Sequence, residues 1–292
     1  MKLSHESKIR LGVLAASAAA LIVAMWGLSF ARGRAVENFN FRNIAKSIGE
    51  DVDSPESRGY ASMFTKLSSA SFAADTVQEV DFNVSSGTVK TKIVDGDEVT
   101  VSESAHVKKG LKPARAATKG LASVENGVLK ISKFDYDDGS AIGRVVTVGI
   151  PRKLAGKLSR INLTVESGDV KIDGLTCSEL DMVVESGDVE FNGSVTNSLD
   201  IQLESGDVKV ILDRAPATAM DVTEGSGDVE ISIPEKTGFT AQLTIESGDF
   251  ESDFLSSEID GDDVSNMTFD NGDKSATYRF DIDSGDMTLD SH

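Results

Sequence analysis

The sequence feature that most constrains the fold is the tripeptide Ser-Gly-Asp, which recurs six times in the second half of the chain. Counted from glycine to glycine, successive copies are spaced by 19, 19, 21, 21 and 37, the last spacing being close to two periods. Their glycines are Gly168, Gly187, Gly206, Gly227, Gly248 and Gly285, and a variant copy precedes them at Ser86-Gly87-Thr88. A near-constant period of this length is typical of repeat architectures, in which each unit stacks on its neighbours.

The residues that flank the tripeptide follow an apolar pattern. Counted from the glycine, positions −7, −5, −3, +2 and +4 are apolar in almost every copy. Around Gly168 they are Ile161, Leu163, Val165, Val170 and Ile172. Over the seven copies the exceptions are Thr91, Glu224 and Ser252. Alternation with period two indicates a half-buried strand on each side of the turn.

Two geometries fit this unit. A four-residue Glu-Ser-Gly-Asp loop between Val165 and Val170 would close an antiparallel hairpin, or it would form the corner of one rung in a stack. The near-constant period and the common register favour stacking. We therefore predict an all-β fold, a single-stranded β-helix or solenoid with rungs of about 19–21 residues. A hairpin-built sandwich is the alternative. We also expect a positive φ at the corner glycine, where a Cβ would be penalised.

A different pattern governs the N-terminus. Residues 11–30 form a run of 20 without a charged side chain, which as a helix would cross the roughly 30 Å hydrocarbon core of a bilayer. Lys2, Lys8 and Arg10 precede the run, which favours a cytoplasmic N-terminus and export of the rest of the chain. A cleaved signal peptide, with a small-x-small site at Ser29-Phe30-Ala31, is the alternative.

We predict four segments along the chain. They are a cytoplasmic N-terminus (residues 1–10), a transmembrane helix or uncleaved signal anchor (residues 11–30), a linker (residues 31–75) and a β-solenoid repeat domain (residues 76–292). The predicted location is the cell membrane, crossed once by the N-terminal helix, with the C-terminal domain extracytoplasmic.

Charge excludes several classes of partner. The chain carries a net charge of −19; residues 1–34 contribute +4, so residues 35–292 carry −23. Such an acidic body is not expected to bind nucleic acid, whose phosphates attract Lys and Arg, or to lie flat on anionic lipid. Cys177 is the only cysteine, which excludes an intrachain disulfide and a cysteine-rich metal site.

The sequence offers little for catalysis. Its histidines are His5, His106 and His292, and no phosphate loop or zinc-protease motif is present. We interpret Cys177 as a buried or half-buried bystander. Carboxylates are abundant, as glycoside hydrolysis requires, yet they repeat identically, whereas an active site needs a local exception. We predict no enzyme activity and assign no catalytic, cofactor-binding or metal residues and no cofactor.

Any site is expected where the repeat fails, around residues 103–145 and 252–277. The clearest basic exception to the acidic repeat lies in the first of these segments, where we predict a loop that bulges from an early rung. Its cations are Lys108, Lys109, Lys112, Arg115 and Lys119.

The repeated acidic residues allow two interpretations. The aspartates of the turns are Asp169, Asp188, Asp207, Asp228 and Asp249, and glutamates precede four of them at Glu166, Glu185, Glu204 and Glu246. Stacked rungs about 4.8 Å apart would bring these carboxylates together, and something must offset their repulsion. Each aspartate could accept backbone hydrogen bonds at its own turn. Alternatively, Ca²⁺ could bridge the aspartate column through oxygen ligands, although the period does not match the nine-residue calcium-binding repeat.

The layout resembles the bacterial putative-adhesin family, a domain of unknown function, over roughly residues 76–292. The residues that carry the likeness are Val146-Thr147-Val148-Gly149-Ile150-Pro151, Leu158, Ile161, Val165-Glu166-Ser167-Gly168-Asp169-Val170 and the closing Phe280-Asp281-Ile282-Asp283-Ser284-Gly285-Asp286. The resemblance implies a β-solenoid behind a single membrane anchor at the cell envelope, in some members beside envelope-stress signalling systems. It implies no catalytic residues.

These observations predict a non-enzymatic scaffold or adhesin-like binding protein of the cell envelope. The expected partner is an envelope protein or an extracellular matrix or polysaccharide, with membrane contact through residues 11–30. The alternative is an accessory or sensory component of envelope-stress signalling that acts by protein contacts.

Overall fold

A computed structural model describes residues 64–132, 139–255 and 259–292, with the side chains of 259–263 and 265 excepted. The predicted membrane segment, residues 11–30, lies outside these ranges. The described residues are nearly all-β, with fifteen strands, two four-residue α-helices and one 3-10 turn (Ala74–Thr76). None of the helices in this part of the chain has the length and apolar character needed to cross a bilayer.

The elements follow in chain order. They are β1 (Thr65–Ala73), β2 (Glu79–Val84), β3 (Gly87–Val94), β4 (Glu98–Val107), α1 (Pro113–Ala116), β5 (Ala122–Glu125), β6 (Val128–Ile131), β7 (Ala141–Pro151), α2 (Arg152–Ala155), β8 (Leu158–Val165), β9 (Gly168–Val184), β10 (Gly187–Arg214), β11 (Ala219–Ile233), β12 (Phe239–Ser252), β13 (Ile259–Asn271), β14 (Ala276–Ile282) and β15 (Asp286–Ser291).

The repeat units stack in parallel, which makes the body solenoid-like. Leu180 of β9 pairs with Leu199 of β10, and Leu199 pairs with Met220 of β11, so paired residues lie one repeat period apart in the chain. The segments before and after each Ser-Gly-Asp turn form two separate ladders of this kind. In neither ladder do the two arms of one turn pair with each other as a hairpin would require. The inward side chains of both ladders share one apolar core.

The order of the rungs in the stack differs from their order in the chain. The first copy of the turn lies between the later strands β6 and β7 on one side and the Gly168 copy on the other, because β2 pairs with β6 and β8 and β3 pairs with β7 and β9. The last copy, formed by β14 and β15, lies between β11 and β12. The longer spacing before Gly285 therefore does not represent a skipped rung. The chain passes beyond the stack, returns and inserts its final rung between two earlier ones.

Antiparallel strands extend the stack at both ends. At the N-terminal end β7 pairs with β4 and β4 pairs with β1. Strand β1 falls within the predicted linker, so the folded body begins before residue 76. At the C-terminal end β13, within the 252–277 segment where the repeat fails, pairs antiparallel with β12.

The corner glycines are needed for close stacking more than for a positive φ. Of the seven, only Gly87 and Gly206 have a positive φ. A Cβ on Gly187 would lie 2.2 Å from the carbonyl oxygen of Gly168, and one on Gly227 would lie 2.0 Å from that of Gly206. Our expectation of a positive φ at each corner is thus wrong for most copies, because neighbouring rungs approach too closely there for any side chain.

Candidate functional site

The aspartates of the turns form a column along one corner of the stack. Burial, and secondarily the neighbouring Asp188 carboxylate, raises the pKa of Asp169 to about 6. Partial desolvation of the carboxyl group likewise raises the pKa of Asp188, Asp207 and Asp228, the last two of which are exposed residues. The carboxylates of adjacent rungs thus lie close enough to affect one another's protonation. We call this set the aspartate column.

Two aspartates of the column accept hydrogen bonds from the next rung. The backbone amide of Asp207 donates to the Asp188 carboxylate, and that of Asp228 donates to the Asp207 carboxylate; each bond partly lowers the pKa of its acceptor. For Asp188 and Asp207, the prediction of a backbone donor at the aspartate's own turn is therefore corrected, because the donor belongs to the next rung. Among the described side chains, no three of His, Cys, Asp or Glu are grouped so that they could hold a metal ion.

The polar exceptions to the apolar pattern are buried and bond to neighbouring rungs. The Thr91 hydroxyl accepts a hydrogen bond from the Asp173 amide at 3.0 Å. The Ser252 hydroxyl donates to the Leu289 carbonyl at 3.0 Å. Each exception lies where the adjacent rung in space is not the adjacent rung in the chain, at the β3–β9 and β12–β15 junctions.

Glu224 is the third exception and marks the inserted rung. Its side chain is fully buried, and its Oε1 accepts a hydrogen bond from the Gly227 amide at 2.7 Å. Burial raises the pKa of Glu224, whereas hydrogen bonds from the amides of Gly227 and Gly285 lower it. One carboxylate thus joins the turn of β11 to the turn of the final rung.

A buried polar cluster lies in the 103–145 segment, where the sequence indicated a site. Glu103 on β4 and Arg144 on β7 form an ion pair with 0% and 3% of their side chains exposed. Thr118 donates to Glu103 from its amide at 2.9 Å and from its hydroxyl at 2.6 Å, and the Ser68 hydroxyl donates at 3.0 Å. The cluster joins β1, β4, β7 and the loop after α1. Because solvent cannot reach the pair, it is a structural tie.

The signal for Glu103 was present in the sequence. It occupies the inward phase of β4 with Val99 and Val101, just as Arg144 shares the inward phase of β7 with Val146. A charged residue at an apolar position of an alternating strand predicts a buried partner, which Arg144 supplies.

The predicted basic loop is present between β4 and β5 and carries α1. Lys108, Lys112, Arg115 and Lys119 are exposed. Ala116 of α1 is buried in a small apolar cluster of its own with Leu67, Ala105, Val107 and Ala141. This cluster and the bonds of Thr118 to Glu103 hold the loop against β1 and β4.

The remaining candidate residues, Cys177 and His106, are both buried. Cys177 is buried, as predicted, and burial raises the pKa of its thiol to about 12, so the nucleophilic thiolate is suppressed at neutral pH. His106 is 7% exposed and its ring centroid lies 4.1 Å from that of Phe64. Neither contributes to a catalytic set.

A family model described as Toastrack DUF4097 matches residues 55–290, most of the chain. The chain belongs to this family. The match covers both ladders, the aspartate column and the basic loop, and it confirms the resemblance to a putative-adhesin family of unknown function. No curated protein matches the sequence.

Three solved structures are similar to this chain over most of its length. A putative cell adhesion protein from Clostridium sporogenes is 12% identical with a TM-score of 0.41, covering 78% of this chain and 100% of that one. A putative adhesin from Bacteroides fragilis is 11% identical (TM-score 0.29; 78% and 98% covered). A putative lipid binding protein from Parabacteroides distasonis is 13% identical (TM-score 0.28; 76% and 96% covered). At these values the likenesses carry no functional inference.

Proposed function

We propose that the protein is a non-enzymatic binding scaffold of the cell envelope, attached to the membrane through residues 11–30 and exposed outside it. The observation that carries this proposal is the repetition of one acidic corner by successive rungs. Glu185, Glu204 and Glu246 occupy the same exposed position in three copies of the turn. Repeated groups of one charge along a stack form a multivalent surface, which suits a long or repeated partner.

The distribution of polar groups supports binding over catalysis. The carboxylates of the column recur at one position of the turn from rung to rung, which suits repeated contacts with a partner better than a single reaction centre. The exceptional pair, Glu103 and Arg144, is closed to solvent and cannot contact a substrate. A family without assigned chemistry and a surface built from repeats both agree with a scaffold.

We also propose that the β-body is a single-stranded solenoid of about 19–21 residues per rung and that one membrane helix precedes it. The parallel registers of β8 to β11 support the rung length. A protease added to intact cells would then digest the β-body while leaving residues 1–10 protected.

The proposal is tested by cross-linking on intact cells. The variant Glu185→Gln/Glu204→Gln/Glu246→Gln removes three exposed charges from the acidic corner. Its matched control, Glu98→Gln/Asp213→Asn/Glu235→Gln, removes three exposed charges elsewhere. We expect a cross-linked partner to be lost with the first variant and kept with the second. Equal capture by both variants would contradict the binding role of the corner, and capture of a membrane signalling protein would support the accessory role instead.

A further inference from the structure

The charge of the protein is distributed unevenly along the stack. Residues 64–160 hold 15 Lys and Arg against 11 Asp and Glu, a net charge of +4, whereas residues 161–292 hold 6 against 31, a net charge of −25. Residues 64–160 supply the antiparallel strands and the first rungs of the N-terminal end, and the acidic residues supply the remaining rungs. The folded body is therefore strongly polarised along its axis.

The exposed cations of the N-terminal end lie on the loop between β4 and β5 and on the edge strand β1. Lys108, Lys112, Arg115 and Lys119 are exposed on the loop that packs against β1. Lys66, on β1 itself, is also exposed. We call these five residues the basic end. Because Thr118 bonds to Glu103 and Ala116 is buried, the loop presents its cations in a fixed arrangement.

The same end carries an exposed aromatic residue and the start of the described chain. Phe64 is 49% exposed and precedes β1 directly. Cations around an exposed aromatic ring are typical of surfaces that bind a lipid interface. The apolar run ends at residue 30, so residues 31–63 connect it to Phe64. A chain of that length reaches at most about 120 Å, which permits the basic end to meet the membrane.

We propose that the basic end docks onto the anionic phospholipid headgroups of the membrane to which the protein is attached, with the acidic rungs directed away. The docking rests on the proposed membrane attachment and adds an orientation to it. A bilayer with anionic lipid attracts each nearby Lys or Arg, and the attraction decays within a Debye length of about 10 Å. The same field repels the rungs that carry −25, so end-on docking is favoured over lying flat.

The test uses the full chain reconstituted into vesicles of phosphatidylcholine alone or with phosphatidylglycerol. Flotation first reports whether the protein is attached. A membrane-impermeant amine reagent then labels the lysines, and mass spectrometry measures the labelling rates of Lys108 and Lys119 against Lys236, an exposed lysine of the acidic rungs. We expect the two loop lysines to be labelled at least about fivefold more slowly in anionic vesicles, with recovery at high salt and no change at Lys236.

Matched charge reversals make the test specific. Lys112→Glu/Arg115→Glu leaves Lys108 and Lys119 as reporters and should abolish their protection. Arg214→Glu/Lys236→Glu reverses two exposed cations of the acidic rungs and should leave that protection intact.

The outcomes separate the two proposals. Protein that floats with both lipids but shows equal labelling rates would overturn the docking and leave the attachment standing. Protein that floats with neither would overturn the attachment, and the docking with it. Protection that rises with protein density in both vesicle types would assign the basic end to the acidic rungs of a second copy, which also overturns lipid docking.

Discussion

The two ends of the stack close the same kind of edge by different means. At the N-terminal end, β7 pairs in parallel with β3, antiparallel strands β4 and β1 are then added in turn, and a buried ion pair joins β4 to β7. At the C-terminal end, antiparallel strand β13 pairs with β12, and the chain then turns back and inserts its final rung between β11 and β12. Unprotected strand edges promote aggregation, and the antiparallel strands at the two ends serve to cover them.

The difference lies in what stabilises each end. Tyr278 and Phe280 of the inserted rung are fully buried among Phe239, Phe250 and Phe269. The N-terminal end instead has a small separate apolar cluster and a buried Glu103 held by several hydrogen-bond donors. Apolar burial stabilises an insertion without requiring a fixed partner for every atom, whereas a buried charge does require one. The C-terminal end should therefore contribute more stability and the N-terminal end more specificity.

The largest expected effect comes from emptying the aromatic core. Tyr278 stacks on Phe239 with ring centroids 4.7 Å apart, and its hydroxyl donates to the Pro216 carbonyl at 2.9 Å. Tyr278→Ala should lower the free energy of unfolding by about 4 kcal/mol, and Tyr278→Phe by about 1 kcal/mol. Leu67→Ala in the N-terminal cluster is the matched truncation, expected to cost about 2 kcal/mol. Denaturant melts followed by circular dichroism measure all three, and an equal loss at both ends would refute the asymmetry.

Breaking the buried ion pair should have the next largest effect. Glu103→Gln leaves the Arg144 charge buried without its carboxylate and should cost about 3 kcal/mol. The double variant Glu103→Leu/Arg144→Met removes both charges and should recover most of that loss. Melts of the single and double variants decide the point; a double variant as unstable as the single one would show that the pair itself stabilises this end.

The column of glycines that joins the two ends supplies a third prediction. Gly227→Ala places a Cβ 2.0 Å from the Gly206 carbonyl oxygen, so neighbouring rungs must separate. We expect a loss of about 2 kcal/mol in the free energy of unfolding. Gly156→Ala is the control, because no atom lies within 4 Å of its Cβ and its φ is negative. If both variants melt alike, close approach of the rungs is not what requires glycine.

The two ends also differ in how far the sequence predicts them. The alternation around Gly168, Gly187 and Gly206, together with their constant spacing, was sufficient to predict parallel rungs, because the three copies have apolar residues at the same inward positions. The order of the rungs in the stack could not be predicted from the spacing of the turns in the chain. Met220 and Ala241 both pair with Tyr278, so the inserted rung fits in the register that β11 and β12 would use to pair directly.

The residues that mark the unexpected order were nonetheless visible. Thr91, Glu224 and Ser252 broke the apolar pattern, and each forms a hydrogen bond at a junction between rungs that are not consecutive in the chain, for Glu224 the bond from the Gly285 amide. A polar residue at a core position of a solenoid repeat therefore indicates a special neighbour. Which neighbour it contacts depends on residues tens of positions away, and periodicity carries no information about them.

The smallest predicted effect concerns the pH dependence of the aspartate column. The pKa of Asp169 is raised to about 6 in the folded protein, chiefly by burial, from 3.8. The folded state therefore binds more protons than the unfolded chain between about pH 4 and pH 6, and stability falls as pH rises through this window. The shifts of Asp188, Asp207 and Asp228 have the same sign. The melting temperature should accordingly be higher at pH 5 than at pH 7.5.

Asp169→Asn tests this dependence at a single rung. The variant cannot ionise there, so it should be more stable than the wild type at pH 7.5, by about 1 kcal/mol after solvent screening of a half-buried group, and closer to it at pH 5. Asp97→Asn is the control: its ion pair with Lys153 lowers the pKa of Asp97, so its contribution is lost only below about pH 4. Melting curves at the two pH values measure both variants. If the stability of the wild type instead rises from pH 5 to pH 7.5, the hydrogen bonds between successive rungs outweigh the cost of burying the aspartate charges. The aspartate column would then stabilise the stack in its ionised form.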